Sequence, residues 1–421
     1  MPLETPVLPL PRRPWADFGP LYFSNAIVAF LFSSTGPVAI ILSVGSRGGL
    51  SEADIASWIF AAFLINAFIG IIFSLLYRQP LVFLWSIPGT VLVGPALTHM
   101  TFPEVVGAFL ATGVLMAVLG LTGFVRRAMD FVPLPIVMAM VAGVFLRFGV
   151  DLVFAFRDGF FIAAPMTAAF VLLSIAPRAA RVLPPLIGAL IAGAVAVWWL
   201  GNFNPPAGPI FGFAEPKFFV PQFSWAAMIE LVVPLAITVL VVQNGQGIAI
   251  LTANGHNPPT NAIAFGCGIG SIITGLFGAV STCLTGPVNA ILSGTAEKHR
   301  QYTSALFFCL IAIAFGLLAP FFTRLLLATP PAFIATLAGL AMLPVLQTAF
   351  QVSFREKFSF GALVCFLVTV ADVPIFLIGA PFWGLVFGVA ASWLRERSDF
   401  RPTASETARQ TAAGSQQPTK Q

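Results

Sequence analysis

Apolar runs of membrane-spanning length recur along the whole chain, and they leave few options for what it can fold into. About 20 consecutive apolar residues cross the hydrocarbon core of a bilayer as a helix. The competing reading, a soluble protein with several buried helices, fails on charge. Only 9% of the 421 residues are charged and 58% are hydrophobic, whereas soluble domains run near a quarter charged. A polytopic, all-α membrane protein is therefore predicted. The runs lie near 21–43, 54–76, 81–98, 104–123, 131–149, 159–176, 183–200, 226–252, 261–279, 280–293, 303–319, 321–345, 358–372 and 373–394.

Charge placement tests that count of about fourteen. With the N-terminus inside, fourteen alternating spans leave Arg47, Arg147, Arg157, Lys217 and Arg324 on the outer side. The other 16 of the 21 basic residues then fall on the cytoplasmic side, among them Arg12, Arg13, Arg78, Arg126, Arg127, Arg178, Arg181, Lys298, Arg300, Arg401, Arg409 and Lys420. This asymmetry is the positive-inside pattern. Removing one span would scramble it downstream. The net charge of +5 is thus an orientation signal, and the scattered basic residues exclude a nucleic-acid surface.

The longest polar, Pro/Gly-rich break is 201–225, predicted to be an extracytoplasmic linker between two halves, 21–200 and 226–394. Residues 1–20 read as a cytoplasmic lead-in without a signal-peptide core. Residues 395–421 read as a disordered cytoplasmic tail. The halves share a short repeat: Pro135 to Gly143 (PIVMAMVAG) aligns with Pro331 to Gly339 (PAFIATLAG), a shift of 196 residues. Seven spans per half is an odd number, so the second repeat must be inserted upside down, a transporter architecture.

Two segments, the third and the tenth, are too short and too broken to span unaided. They are Trp85 to Leu97 (WSIPGTVLVGPAL) and Ser281 to Leu292 (STCLTGPVNAIL), and the same shift nearly superposes Gly89 on Gly286. Backbone leaving the helix inside a membrane is tolerated only where it is buried in protein or lines a cavity. In each segment an extended, polar stretch precedes a Pro/Gly pair and an apolar half-helix. Proline suits the first helical turn, and glycine permits close backbone approach. A half-helix starting there presents free N–H groups and about half a positive charge. Two such starts meeting near the midplane form an anion site without Lys or Arg. Polar residues also sit inside the first and eighth spans, at Ser33 and Ser34 and at Gln243 and Asn244, where they are costly without partners.

Absences bound the chemistry. No acid is placed firmly mid-membrane, since Glu230 lies near a span start and Asp372 lies between spans, so an anionic or neutral polar cargo is favoured. The four cysteines and three histidines show no metal-ligand spacing. No nucleophile–base pair suggests catalysis, and no phosphate-binding loop suggests ATP-driven transport. No cofactor is expected.

These stretches resemble the bacterial benzoate/proton symporter family, within the wider group sharing the uracil-transporter fold. The resemblance rests on Trp85-Ser86-Ile87-Pro88-Gly89, Met140 to Val150 (MVAGVFLRFGV), Gln243-Asn244 with Gly255 and Pro258-Pro259, Thr285-Gly286-Pro287, and Phe382-Trp383-Gly384-Leu385. It implies fourteen segments in two inverted repeats, forming a core and a gate domain in the bacterial inner membrane with both termini cytoplasmic. It places substrate between the third and tenth spans, matching Ser86, Gly89 and Thr90 and Thr285 and Gly286; Trp85 and Thr282 in the same broken segments are further candidate binding residues. The first and eighth spans complete the site with Ser33, Ser34, Gln243 and Asn244. The implied partners are a small aromatic carboxylate, protons and the bilayer; a homodimer is one option for assembly. Gln243 stands where nucleobase-transporting relatives carry glutamate, which favours a carboxylate. The chain departs from the family at Gln246 and at Ser281-Thr282-Cys283, which make its site more polar. A carrier of another, sulfate-like anion or a nucleobase permease on the same fold is the alternative.

Overall fold

In a computed structural model of the chain, residues 3–7, 14–125, 133–176, 183–204, 211–294, 297–355, 357–373, 375 and 380–400 are described. The predicted disordered tail beyond residue 400, residues 205–210 of the predicted linker and the basic residues Arg12, Arg13, Arg126, Arg127, Arg178 and Arg181 lie outside them. Seven helices among the described residues are long and apolar enough to cross a membrane. In chain order the helices begin with α1 (Pro20–Ser34) and α2 (Gly36–Arg47), which form one broken span, followed by α3 (Glu52–Tyr77). Strand β1 (Phe83–Trp85) leads into the half-helix α4 (Ile87–Ala96), and α5 (Phe102–Thr122), α6 (Leu134–Asp158), α7 (Phe160–Ser174) and α8 (Pro185–Trp199) follow. After the 211–224 segment come α9 (Trp225–Ala253), α10 (Thr260–Gly275), strand β2 (Thr282–Leu284) and the half-helix α11 (Gly286–Ser293). The remaining helices are α12 (Tyr302–Leu317), α13 (Ala319–Leu327), α14 (Pro331–Phe354), α15 (Ser359–Ala371) and α16 (Ala380–Arg395).

Local chemistry sets these boundaries. Helix α3 opens on a capping box in which Ser51 Oγ accepts the Asp54 N–H and Asp54 Oδ2 accepts the Ser51 N–H, at 3.2 and 3.0 Å. Lys217, beyond residue 200, reaches back to Asp54 at 2.8 Å and fixes the 211–224 segment against this helix start. Helices α5 and α10 touch backbone to backbone. A Cβ on Gly113 would lie 2.8 Å from the Gly268 carbonyl oxygen, and one on Gly268 would lie 2.4 Å from the Ala117 nitrogen. Small residues permit this approach where lipid offers helices little other driving force to associate.

One predicted span is displaced. The run expected over 321–345 divides into α13 and α14, with the long helix starting at Pro331. The physical reason is Pro330-Pro331, which opens a new helix at its first turn, while Arg324 bonds Glu52 at 2.6 Å and holds α13 at the Arg47 end of the molecule. Helix α6 also runs further than the expected 131–149, because its last turns carry Arg147, Asp151 and Arg157 beyond the apolar stretch.

The centre holds the one departure from helix that the broken segments predict. Strands β1 and β2 pair antiparallel, with Phe83 opposite Leu284, Leu84 opposite Cys283 and Trp85 opposite Thr282. The two strand-plus-half-helix units therefore run in opposite directions. The α4 unit heads toward the Arg47 end, where Leu97 packs on Gly48. The α11 unit heads toward the Arg78 end, where Ser293 accepts a hydrogen bond from Asn254 at 2.8 Å. The broken span α1–α2 and helix α9 flank both units.

Candidate functional site

A ribbon of two three-residue strands has two open edges, and all six residues are buried. Their N–H and C=O groups must find partners. Side chains supply them. Asn244 Oδ1 accepts the Leu284 N–H at 2.8 Å, Ser271 Oγ accepts the Thr282 N–H at 2.9 Å, and Asn289 Oδ1 accepts the Val82 N–H at 2.9 Å. Asn289 Nδ2 also donates to the carbonyls of Val82 and Thr285, at 3.1 and 2.8 Å. Thr282 Oγ1 donates to Asn66 Oδ1 at 2.8 Å, and Ser74 Oγ bonds the Leu81 backbone at 3.2 Å. Of this set the sequence reading named only Asn244 and Thr282. Asn66, Ser74, Ser271 and Asn289 carried one available signal, a lone polar residue in an apolar run.

The predicted residues thus divide by what their polar groups already do. Ser86 caps α4, accepting the Gly89 N–H at 3.0 Å, and Thr90 Oγ1 donates back to the Ser86 carbonyl at 3.0 Å. The hydroxyl protons of Ser33 and Ser34 go to the carbonyls of Phe30 and Leu31 on their own helix, at 3.0 and 3.5 Å. Thr35 does the same at 2.9 Å where α1 breaks. Asn244, Thr282, Ser86 and Thr90 are therefore occupied in building the scaffold.

A second group is buried and unspent. Gln243 is 9% exposed, and its amide makes no hydrogen bond among the described residues. It ends a π-helical stretch of α9, Thr238–Asn244, and such stretches concentrate at functional sites. Thr285 precedes α11 without capping it, so its hydroxyl and the Gly286 N–H stay available. Trp85 is 3% exposed and packs on Phe63 at 5.0 Å between ring centroids, while its indole N–H has no partner among the described residues. The Ser281 hydroxyl is likewise buried and, among the described residues, unpaired. Unsatisfied buried polar groups are costly to keep, and Trp85 and Ser281 bring two of them to the ribbon.

Register corrects one expectation. Ser86 lies opposite Ser281 and Thr285 opposite Val82, so the two half-helix starts sit at opposite ends of the ribbon. Four strand steps separate them, roughly 13 Å. They lie apart instead of meeting at one point. Helix α9 passes both: Leu235 lies against Gly89, and Gln246 lies against Gly286. A cavity of about 450 Å³ opens from the Arg47 end between α2, α4, α6 and α15, and its α4 lining begins at Val91, the residue after Thr90.

Glu230 lies near the start of its span, as the sequence indicates. It is 4% exposed within α9, and its carboxylate bonds His99 Nε2 at 3.0 Å. Among the described residues no cluster of His, Cys, Asp or Glu is arranged to hold a metal ion.

This architecture is that of solved anion-transporter membrane domains. The chain is similar to SLC26A9, with a TM-score of 0.63 at 13% identity over 88% of this chain and 64% of that one. It thus spans less than two thirds of that protein. It is also similar to the transmembrane domain of the cyanobacterial bicarbonate transporter BicA, with a TM-score of 0.55 at 14% identity over 87% of this chain and 97% of that one. Sequence then fixes the family. The model of BenE, benzoate membrane transport protein, matches residues 16–394, and the chain belongs to that family. It is 30% identical to the inner membrane protein YdcO of Escherichia coli (strain K12), over 86% of this chain and 92% of that protein. It is 27% identical to the benzoate membrane transport protein of Acinetobacter baylyi (strain ATCC 33305 / BD413 / ADP1), over 87% and 93%.

Proposed function

We propose that this chain is a secondary transporter that carries an aromatic carboxylate of the benzoate type together with a proton across the bacterial inner membrane. Fourteen segments in two inverted repeats, 21–200 and 226–394, would form a core that moves against a gate, with both termini cytoplasmic. The observation that carries the reading is the ribbon with its unspent polar groups. The carboxylate accepts hydrogen bonds from the Gly286 N–H and the Thr285 hydroxyl at the positive end of α11. The Gln243 amide adds a donor, and the Trp85 and Phe63 rings face the aromatic ring of the cargo. Proton coupling follows from charge. An anion entering alone works against an inside-negative potential, at about 2.3 kcal/mol per 100 mV, and an accompanying proton removes that cost.

Uptake of labelled benzoate into proteoliposomes, with and without an inward proton gradient, tests the reading. Gradient-dependent accumulation is expected, with KM raised about tenfold or more by Gln243→Ala, the loss of one hydrogen bond in a dry site. Displacement of benzoate by excess sulfate or uracil, or uptake indifferent to the gradient, would overturn it.

A further inference from the structure

None of the cargo contacts uses Glu230, an acid only 4% exposed within α9. It sits in a π-helical stretch, Met228–Val232, the companion of the stretch that ends at Asn244 beside Gln243. A carboxylate buried in a membrane helix is costly unless it is paired or protonated. Its partner is His99, whose Nε2 lies 3.0 Å from Glu230 Oε2 and whose side chain is 33% exposed.

The hydrogen bonds locate a proton in this pair. Thr98 Oγ1 donates its one hydrogen to the Pro95 carbonyl at 2.7 Å. Toward His99 Nδ1, 3.3 Å away, the same oxygen is then an acceptor, so Nδ1 carries a hydrogen. Nε2 and Oε2 can therefore meet at 3.0 Å only if one of them holds a hydrogen too. Either an imidazolium donates to a carboxylate, or a carboxylic acid donates to a neutral imidazole. Both arrangements are neutral overall and hold the same proton. Its loss sets acceptor against acceptor and leaves a net negative charge.

Few other charges act there. Helices α4, α5 and α16 pack on Met228–Val232. Helix α4 has no ionisable residue, and α16 has only Arg395, in its last turn. Helix α5 has Glu104 alone, which lies within electrostatic reach of His99 and accepts the Thr101 N–H and hydroxyl at 2.9 and 2.8 Å. Glu230 is the one ionisable residue of α9 itself. The route to water is short, because Thr98 lines the cavity at the Arg47 end. The charged residues of that lining are Arg47, bonded to Asp151 at 2.6 Å, Arg147 and Asp372.

We propose that the His99–Glu230 pair takes up the proton that accompanies the anionic cargo, a reading that rests on the symport proposed above. The pair ties together the two elements that hold the cargo groups, since the His99 loop follows α4 and Glu230 precedes Gln243 on α9. Leu235, about one and a half turns beyond Glu230, lies against Gly89. A proton from water in the cavity forms the N–H or O–H bond of the pair and cancels its negative charge before the anion settles. Proton and anion then strengthen each other's binding by equal factors.

The test is benzoate binding to the purified full chain in nanodiscs, measured by calorimetry across pH. Wild-type affinity should fall by up to about tenfold per pH unit once the pair loses its proton. Glu230→Gln cannot ionise and should bind with an affinity independent of pH. His99→Gln removes the other half of the pair and should displace the fall along the pH axis. In weak buffer, benzoate binding to the wild type should also draw protons from solution over the range where affinity falls. If Glu230→Gln does not fold, His99→Gln and this proton uptake decide. A wild type that binds no benzoate would overturn the cargo reading and this one with it. Wild-type binding that ignores pH or takes up no proton, or an unchanged pH profile in either variant, would overturn the pair alone.

Discussion

Asn289→Ala is the sharpest probe of how the site is held. Asn289 is fully buried, and its side chain makes three hydrogen bonds to the backbone around β1 and α11. Two of the acceptors keep a second partner: the Val82 carbonyl still receives the Thr285 N–H at 3.3 Å, and the Thr285 carbonyl the Asn289 N–H at 3.2 Å. The Val82 N–H loses its acceptor and sits in a residue with no solvent exposure. One abandoned buried donor with two weakened acceptors costs about 2–4 kcal/mol. That is a factor of about 30 to 1,000 in the opening of the ribbon. Cys283, paired with Leu84 and fully buried, reports the opening. With Cys267, Cys309 and Cys365 replaced by Ala, thiol labelling of Cys283 should accelerate by that factor. Ser353→Ala is the control, since its hydroxyl only adds to a helical carbonyl at 2.7 Å. If the two substitutions accelerate labelling equally, the edge-sealing argument is wrong.

Two further outcomes follow from the geometry. The three atoms nearest a Cβ on Gly286 would all belong to the Gln246 side chain, with its Oε1 at 2.6 Å. Gln246 is exposed and can shift, so Gly286→Ala should retain benzoate uptake and Gly286→Leu should abolish it; equal uptake by both would remove the α11 start from the site. His256 contributes to the pH dependence of stability. Its folded pKa lies below the ordinary 6.5, so below that pH the unfolded chain binds more protons and stability falls as pH falls. The unfolding midpoint should drop between about pH 7.5 and about pH 5.5, and His256→Gln should flatten the drop. An unchanged slope in that variant would assign the effect to other groups.

The broken segments were legible because Pro88-Gly89 and Gly286-Pro287 contradict the apolar runs around them, a conflict contained within a few residues. Membrane class was legible from charge alone. What closes the ribbon was not, because Asn66 and Thr282 are 216 residues apart in sequence, and Asn289 and Val82 are 207 apart. No local pattern announces such a pairing. The placement of α13 depends on Arg324 meeting Glu52 across 272 residues, whereas the start of α14 is written locally in Pro330-Pro331. Glu230 lies near a span start, as its place in the sequence indicates, but its partner His99, from the loop after α4, is 131 residues away. The division of the predicted site into scaffold and unspent groups depended on the same distant partners.

The ribbon also dictates an order of assembly. Strand β1 emerges from the ribosome about 200 residues before β2, and Asn289 is made later still. Until then the backbone around Val82 to Trp85 has neither its ladder partner nor its side-chain acceptor. Lipid cannot hydrate those groups. The first half of the chain must therefore keep this segment in contact with water or with the insertion machinery while the rest is synthesised. Commitment to the bilayer interior comes only when β2 arrives, so the centre of the molecule closes after the helices from α1 to α10 have been made.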